Sequence, residues 1–149
     1  MRAGRAVASE IVVDGWRRHL GYDGPDVSPA EAGAALARIS AEHDLTFYAH
    51  YHTDTAGHRG GMSGAVEALE RVDAFLGGLL DHLDPAAALV LASDHGNIED
   101  VRAGHTTHPA LLLVARGAVR ATGRTTPGDL TDVKPLLLEL LGSDDPPPH

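Results

Sequence analysis

Ser93-Asp94-His95-Gly96-Asn97-Ile98-Glu99-Asp100 closes an apolar run that extends from Ala87 to Ala92. A carboxylate and an imidazole stand side by side where a buried strand would end. Within a strand, neighbouring side chains point to opposite faces. At a strand end, with Gly96 free to turn the backbone, both can face one cavity. That placement suits a pair of metal ligands better than a packed core.

Two further groups follow the same pattern. Upstream lies Asp54-Thr55-Ala56-Gly57-His58, and downstream lies Gly104-His105-Thr106-Thr107-His108-Pro109. All three are expected in loops after apolar runs. A donor set of carboxylate and imidazole without thiolate suits Zn²⁺, Mn²⁺ or Fe²⁺ better than Ca²⁺ or an iron–sulfur cluster. For each group a plainer role exists: a turn for Asp94-His95, a helix cap for Asp54, a solvated loop residue for His105. Three such groups in order point to ligands.

The order Asp54…His58, Asp94-His95-Gly96-Asn97, Gly104-His105-Thr106 resembles the C-terminal half of the alkaline phosphatase superfamily. It is most similar to the branch of cofactor-independent phosphoglycerate mutases and metalloenzymes. The likeness runs from about Ser28 to Gly142, and 131–142 resembles that branch's closing helix, with Leu136 where the branch usually has Thr. The resemblance implies two divalent ions, Mn or Zn. Asp54, His58 and His105 would hold one, and Asp94 and His95 the other. It implies a small phosphorylated substrate, or a sulfate ester. The second ion's further Asp, and the Ser or Thr nucleophile, belong to the N-terminal half of that fold and have no counterpart here. The catalytic nucleophile is therefore unknown, and the chain is expected to be catalytically incomplete. The alternative is a non-catalytic remnant that binds metal or a partner, associating as a homodimer or with the missing N-terminal half. A third option is a single-metal hydrolase with Glu99 or Asp100 as base.

The 149 residues suit one domain with a real core. The chain has no cysteine, which excludes disulfides and thiolate chemistry. A formal charge of −9 and the absence of a basic cluster argue against nucleic acid as a partner. No apolar run reaches the roughly 20 residues that span a bilayer, and no apolar stretch after Arg2 and Arg5 makes a secretory signal. A cytoplasmic location is expected.

Outward from the central motif, the pattern alternates. Val12, Trp16 and Leu20 make a helical stripe over residues 9–20. Val12-Val13-Asp14-Gly15 superficially resembles the branch's opening strand, but the stripe reads as helix and sets Asp14 apart from the ligands. Ser28-Pro29-Ala30-Glu31 starts a helix that runs to about His43. Leu45 to Tyr51 is strand-like. Met62 to Leu83 is the longest helix, with Val66, Leu69, Val72, Leu76, Leu79, Leu80 and Leu83 as its apolar stripe. Ala87–Ala92 and Ala110–Ala115 are strands, Leu130–Leu141 is the last helix, and 143–149 is expected to be a disordered tail. The expected fold class is α/β, a mainly parallel sheet flanked by helices, an alkaline-phosphatase-like core lacking its N-terminal half. In such sheets ligands bind beyond the carboxyl ends of strands, where the three groups fall. His108 is expected at the surface or behind a ligand, His50 and His52 in packing, and Arg59 near solvent or an anionic substrate.

Overall fold

The computed structural model describes residues 5–102, 104–115 and 127–142. The expected tail at 143–149 lies outside them. The chain forms two compact units, residues 1–84 with 95–108, and residues 85–94 with 109–149.

The first unit is helical. Helix α1 (Asp14–Leu20) begins later than its stripe suggested and ends on Gly21 in the left-handed region. Val12 therefore lies ahead of the helix, buried, and Leu20 is exposed. Just upstream, Ile11 has φ of 68° and is 2% exposed. A β-branched residue resists this conformation, and it is held by burial against Val12, Ala32 and Phe75.

Helix α2 (Pro29–Ser40) starts as expected. Ser28 Oγ accepts from the Glu31 amide, and the Glu31 carboxylate accepts from the Ser28 amide at 2.8 Å. Helix α3 (His52–Arg59) is followed by α4 (Gly61–His82). The expected stripe of α4 holds from Val72 onward, where Leu79 and Leu83 are buried and Val72 and Leu76 pack on the core, and fails at its start. Ala65, Ala68, Phe75, Gly78 and Leu79 face inward, whereas Val66 and Leu69 are exposed. The reason lies in the partner helix. A side chain on Gly78 would overlap the backbone of Ala30, and one on Gly33 would overlap the Phe75 carbonyl. The helices α2 and α4 thus meet backbone to backbone, which small residues permit and Leu does not.

Residues 45–51 were expected as a strand and form no ladder. The segment has the alternation of a strand. Thr46, Tyr48 and His50 are partly buried, and Leu45, Phe47 and Tyr51 are exposed. Tyr48 donates to the Ala8 carbonyl at 2.6 Å and stacks on Phe75 at 5.2 Å. His50 Nδ1 donates to the Ser9 carbonyl at 2.6 Å, a packing role as expected. Among the described residues, the backbone groups of 44–50 have no backbone partner.

The second unit holds β1 (Leu89–Ala92), β2 (Leu112–Ala115), a 3₁₀ turn (Leu130–Asp132) and α5 (Val133–Leu140). The strands pair antiparallel, from Leu89↔Ala115 to Ala92↔Leu112, and Ser93 N–H to Leu111 O at 2.9 Å extends the ladder. This departs from the mainly parallel sheet expected. Parallel neighbours need a crossover, usually a helix, and the described residues between these strands contain turns and no helix. The class is mixed α and β. Among the described residues no helix is long and apolar enough to cross a membrane.

Candidate metal centre

Asp54 and His58 do not lie in a loop, as the sequence suggested, but on α3. Their i, i+4 spacing places them on one face of that helix. The opposite edge carries His52, Thr55 and Arg59, which line a shallow groove with Asp14, Arg18 and Arg71. His52 faces Glu10 at 3.5 Å. Asp14 sits in the first turn of α1 and is not a member of the ligand cluster.

Facing the Asp54–His58 edge are two turns, at 95–97 and 104–108. A pair of features ties them together. The Thr106 amide donates to the Gly96 carbonyl at 2.8 Å. A side chain on Gly96 would overlap the Thr106 hydroxyl, so glycine leaves that hydroxyl its place. Gly104, with φ of 70°, turns the second loop back toward the His58 ring.

The result is one carboxylate oxygen surrounded by imidazoles. Asp54 Oδ1 lies 3.4 Å from His105 Nε2, 3.5 Å from His58 Nε2 and 3.8 Å from His95 Nε2. Ligand atoms of Asp54, His58 and His105 all fall within 4.8 Å of one another. The rings of His95 and His105 lie with centroids 3.9 Å apart, tilted by 32°, so His95 stands beside this group. Asp94, the remaining sequence-expected ligand, ends a segment of the second unit.

The donor set can be tested against a cation. Ligands about 2.0–2.2 Å from a tetrahedral ion stand about 3.3–3.6 Å from each other. The Asp54–His58 and Asp54–His105 separations of 3.5 and 3.4 Å match that edge length. Burial tends to raise the Asp54 pKa, but the Asn97 hydrogen bond and the His58 and His105 rings outweigh it and hold it below the usual carboxylate value. An ionised carboxylate is the form that ligates.

Behind this group lies a network that sequence reasoning missed. Asn97 is 4% exposed, and its Nδ2 donates to Asp54 Oδ1 at 2.6 Å and to the Asp54 carbonyl at 3.1 Å. Glu99 accepts from the Asn97 amide at 2.6 Å, from the Thr106 hydroxyl, and from His108 Nδ1 at 3.1 Å. The Thr106 hydroxyl first, with the backbone amides and His108, brings the Glu99 pKa down to about 2. Arg102, bidentate on Asp100, holds that carboxyl well below its usual range. The signal for Asn97 and Glu99 was present only as a motif. Their partners sit on segments that a sequence does not show to be adjacent.

Residues 22–145 match the Metalloenzyme superfamily. Among similar proteins is a 2,3-bisphosphoglycerate-independent phosphoglycerate mutase of Paracoccus denitrificans, 38% identical over 85% of this chain and 27% of the relative. Another, from Desulforudis audaxviator, is 35% identical over 83% of this chain and 26% of its own length. A third, from Haloarcula marismortui, is 31% identical over 92% of this chain and 30% of its own. The chain thus spans roughly a quarter to a third of the length of these relatives. No solved structure gives a significant match. With a family match across most of its length and a carboxylate–imidazole cluster at its centre, this chain belongs to the Metalloenzyme superfamily.

Proposed function

We propose that this chain is the divalent-metal-binding part of a phosphotransferase or phosphatase-like metalloenzyme acting on a small phosphorylated substrate. Asp54, His58 and His105 hold one ion, and His95 with Asp94 serves a second. Mn²⁺ and Zn²⁺ both suit one carboxylate with imidazoles. The observation that carries this reading is the Asp54 oxygen, with three imidazole nitrogens 3.4–3.8 Å away. A cation bound there would supply positive charge to a phosphate oxygen and to the attacking and leaving groups. The chain's own residues do the rest. Asp54 offsets the cation's charge, and the rings set its position. No hydroxyl of this chain is assigned as nucleophile, so turnover by the chain alone is expected to be near background.

Titration calorimetry with Zn²⁺ and with Mn²⁺ on chelator-treated protein tests this. One binding event is expected to dominate and to vanish in Asp54→Ala. Heat unchanged by that substitution would refute the site. Metal-dependent phosphate ester hydrolysis by the pure chain would refute its incompleteness.

A second reading, a partner-binding domain without catalysis, is favoured by residues 45–51. Residues 44–50, which have no backbone partner among the described residues, and the exposed Leu45, Phe47 and Tyr51 make an extended segment to which a partner strand could add. Light scattering across concentrations tests it. Self-association removed by Phe47→Asp would support a homodimer, and a monomer at all concentrations would argue against one.

A further inference from the structure

Three places outside the ligand set repay attention: the arginine groove, the unpaired segment 45–51, and the buried amide of Asn97. The groove sets Glu10, Asp14 and Glu67 among its arginines and so has no clear charge preference. The segment at 45–51 does not by itself identify what would cover it. The amide of Asn97 is buried, and it meets a proposed ligand on one side and a glycine on the other.

We infer that Asn97 is the positioning residue of the proposed cation site, fixing the Asp54 carboxylate from behind, and that Gly57 lacks a side chain in order to admit it. This rests on the metal-site reading above.

The orientation of the amide follows from chemistry. An ionised carboxylate can only accept hydrogen bonds, so the atom of Asn97 facing Asp54 Oδ1 at 2.6 Å is the nitrogen. The same nitrogen reaches the Asp54 carbonyl at 3.1 Å, so it grips both backbone and side chain of one residue. Its oxygen points the other way, buried and without a hydrogen-bond partner. It is pressed against α3, where a side chain on Gly57 would overlap it. A buried polar atom left unpaired costs free energy. That cost is tolerated where the rest of the side chain is fixed by what it holds.

The residue type also fits. An aspartate here would repel Asp54, and a lysine would compete with the cation for it. A neutral donor orients the carboxylate and leaves its charge for the metal. Partners that orient ligands in this way commonly contribute 10–100-fold in metal affinity. The backbone N–H of Asn97 donates to Glu99, which fixes the turn that carries both Asn97 and His95.

The test is a double-mutant cycle on the full chain, read as the calorimetric dissociation constant for Zn²⁺ and for Mn²⁺. Melting temperature of the metal-free protein is measured alongside. Asn97→Ala is expected to weaken binding about 10–100-fold. Gly57→Ala, which alters no ligand, is expected to weaken binding by a similar factor. The double variant should be no weaker than the single ones, because both remove the same contact. If Asn97→Ala fails to fold, Asn97→Ser is measured instead. It keeps a polar group but is too short to reach Asp54, and the same loss is expected. Unchanged affinity in the folded Asn97 and Gly57 variants, with only the metal-free melting temperature lowered, would overturn the inference. Additive losses would also overturn it. Absence of binding in the wild-type chain would instead refute the metal-site reading itself.

Discussion

Gly33 on α2 and Gly78 on α4 face each other without side chains. A Cβ placed on Gly33 would overlap the Phe75 carbonyl oxygen and stand 3.1 Å from the Gly78 carbonyl carbon. Backbone cannot yield as a flexible side chain can. Gly33→Ala should therefore destabilise the chain by about 1–3 kcal/mol, the usual cost of overpacking a core. Gly77, one residue away on α4, has open space where its Cβ would be. Gly77→Ala should be neutral or stabilise by up to about 1 kcal/mol through helix propensity. Urea denaturation of the two variants makes the comparison. Equal midpoints would show that the helices do not meet as described.

Ser28→Ala should weaken α2. It removes the oxygen that accepts the Glu31 amide and leaves a first-turn N–H unpaired. A loss of about 1 kcal/mol is expected, measured by the shift in denaturation midpoint. No change would mean that water replaces the cap without cost.

The Glu99 network has a pH signature. Its folded pKa is about 2 against an ordinary 4.5, held down chiefly by the Thr106 hydroxyl. A carboxyl depressed on folding adds stability that is fully present above the unfolded value. That stability is lost as pH falls through the window from 4.5 toward about 2. Glu99→Gln should flatten this dependence, as read from urea midpoints of wild type and variant across that window. Parallel curves would show that Glu99 is not coupled to Thr106 and His108.

A divalent cation should raise the melting temperature, because it binds the folded site and not the dispersed residues. At a hundredfold excess over its dissociation constant the gain is about 2.7 kcal/mol. His105→Ala and Asp54→Ala should abolish the shift, whereas His43→Ala, on an exposed loop residue, should keep it. Differential scanning fluorimetry with and without chelator decides. A shift that survives in Asp54→Ala would place the cation elsewhere.

How much was legible beforehand depended on how local each cause was. The capping box at Ser28 and Glu31 is written within four residues, and the helix follows. The pair Asp54 and His58 announced itself by composition, although its helix did not. The α4 stripe was legible from Val72 to Leu83 and failed at Val66 and Leu69, because Leu and Val outweigh Ala and Gly on any hydrophobicity count. Ala65, Ala68 and Gly78 are buried instead, and at Gly78 the reason is the backbone of Ala30 on α2. Residues 45–51 carry strand alternation, yet a ladder needs a neighbour that their own sequence does not specify. Asn97 was hidden for the same reason, since the residue it holds lies 43 positions earlier.

That separation also sets an order of events. The first unit is not continuous in the chain. It is made of residues 1–84 and is completed only by 95–108. At a synthesis rate of about 5–20 residues per second, His105 emerges some seconds after Asp54. Helices α2, α3 and α4 can therefore pack on the ribosome while Asp54 has neither Asn97 behind it nor His105 before it. Closing that long loop costs entropy before any contact repays it. The cluster is consequently the last part of its unit to assemble, and a nascent chain should gain its affinity for cations only after the turn at 104–108 has docked.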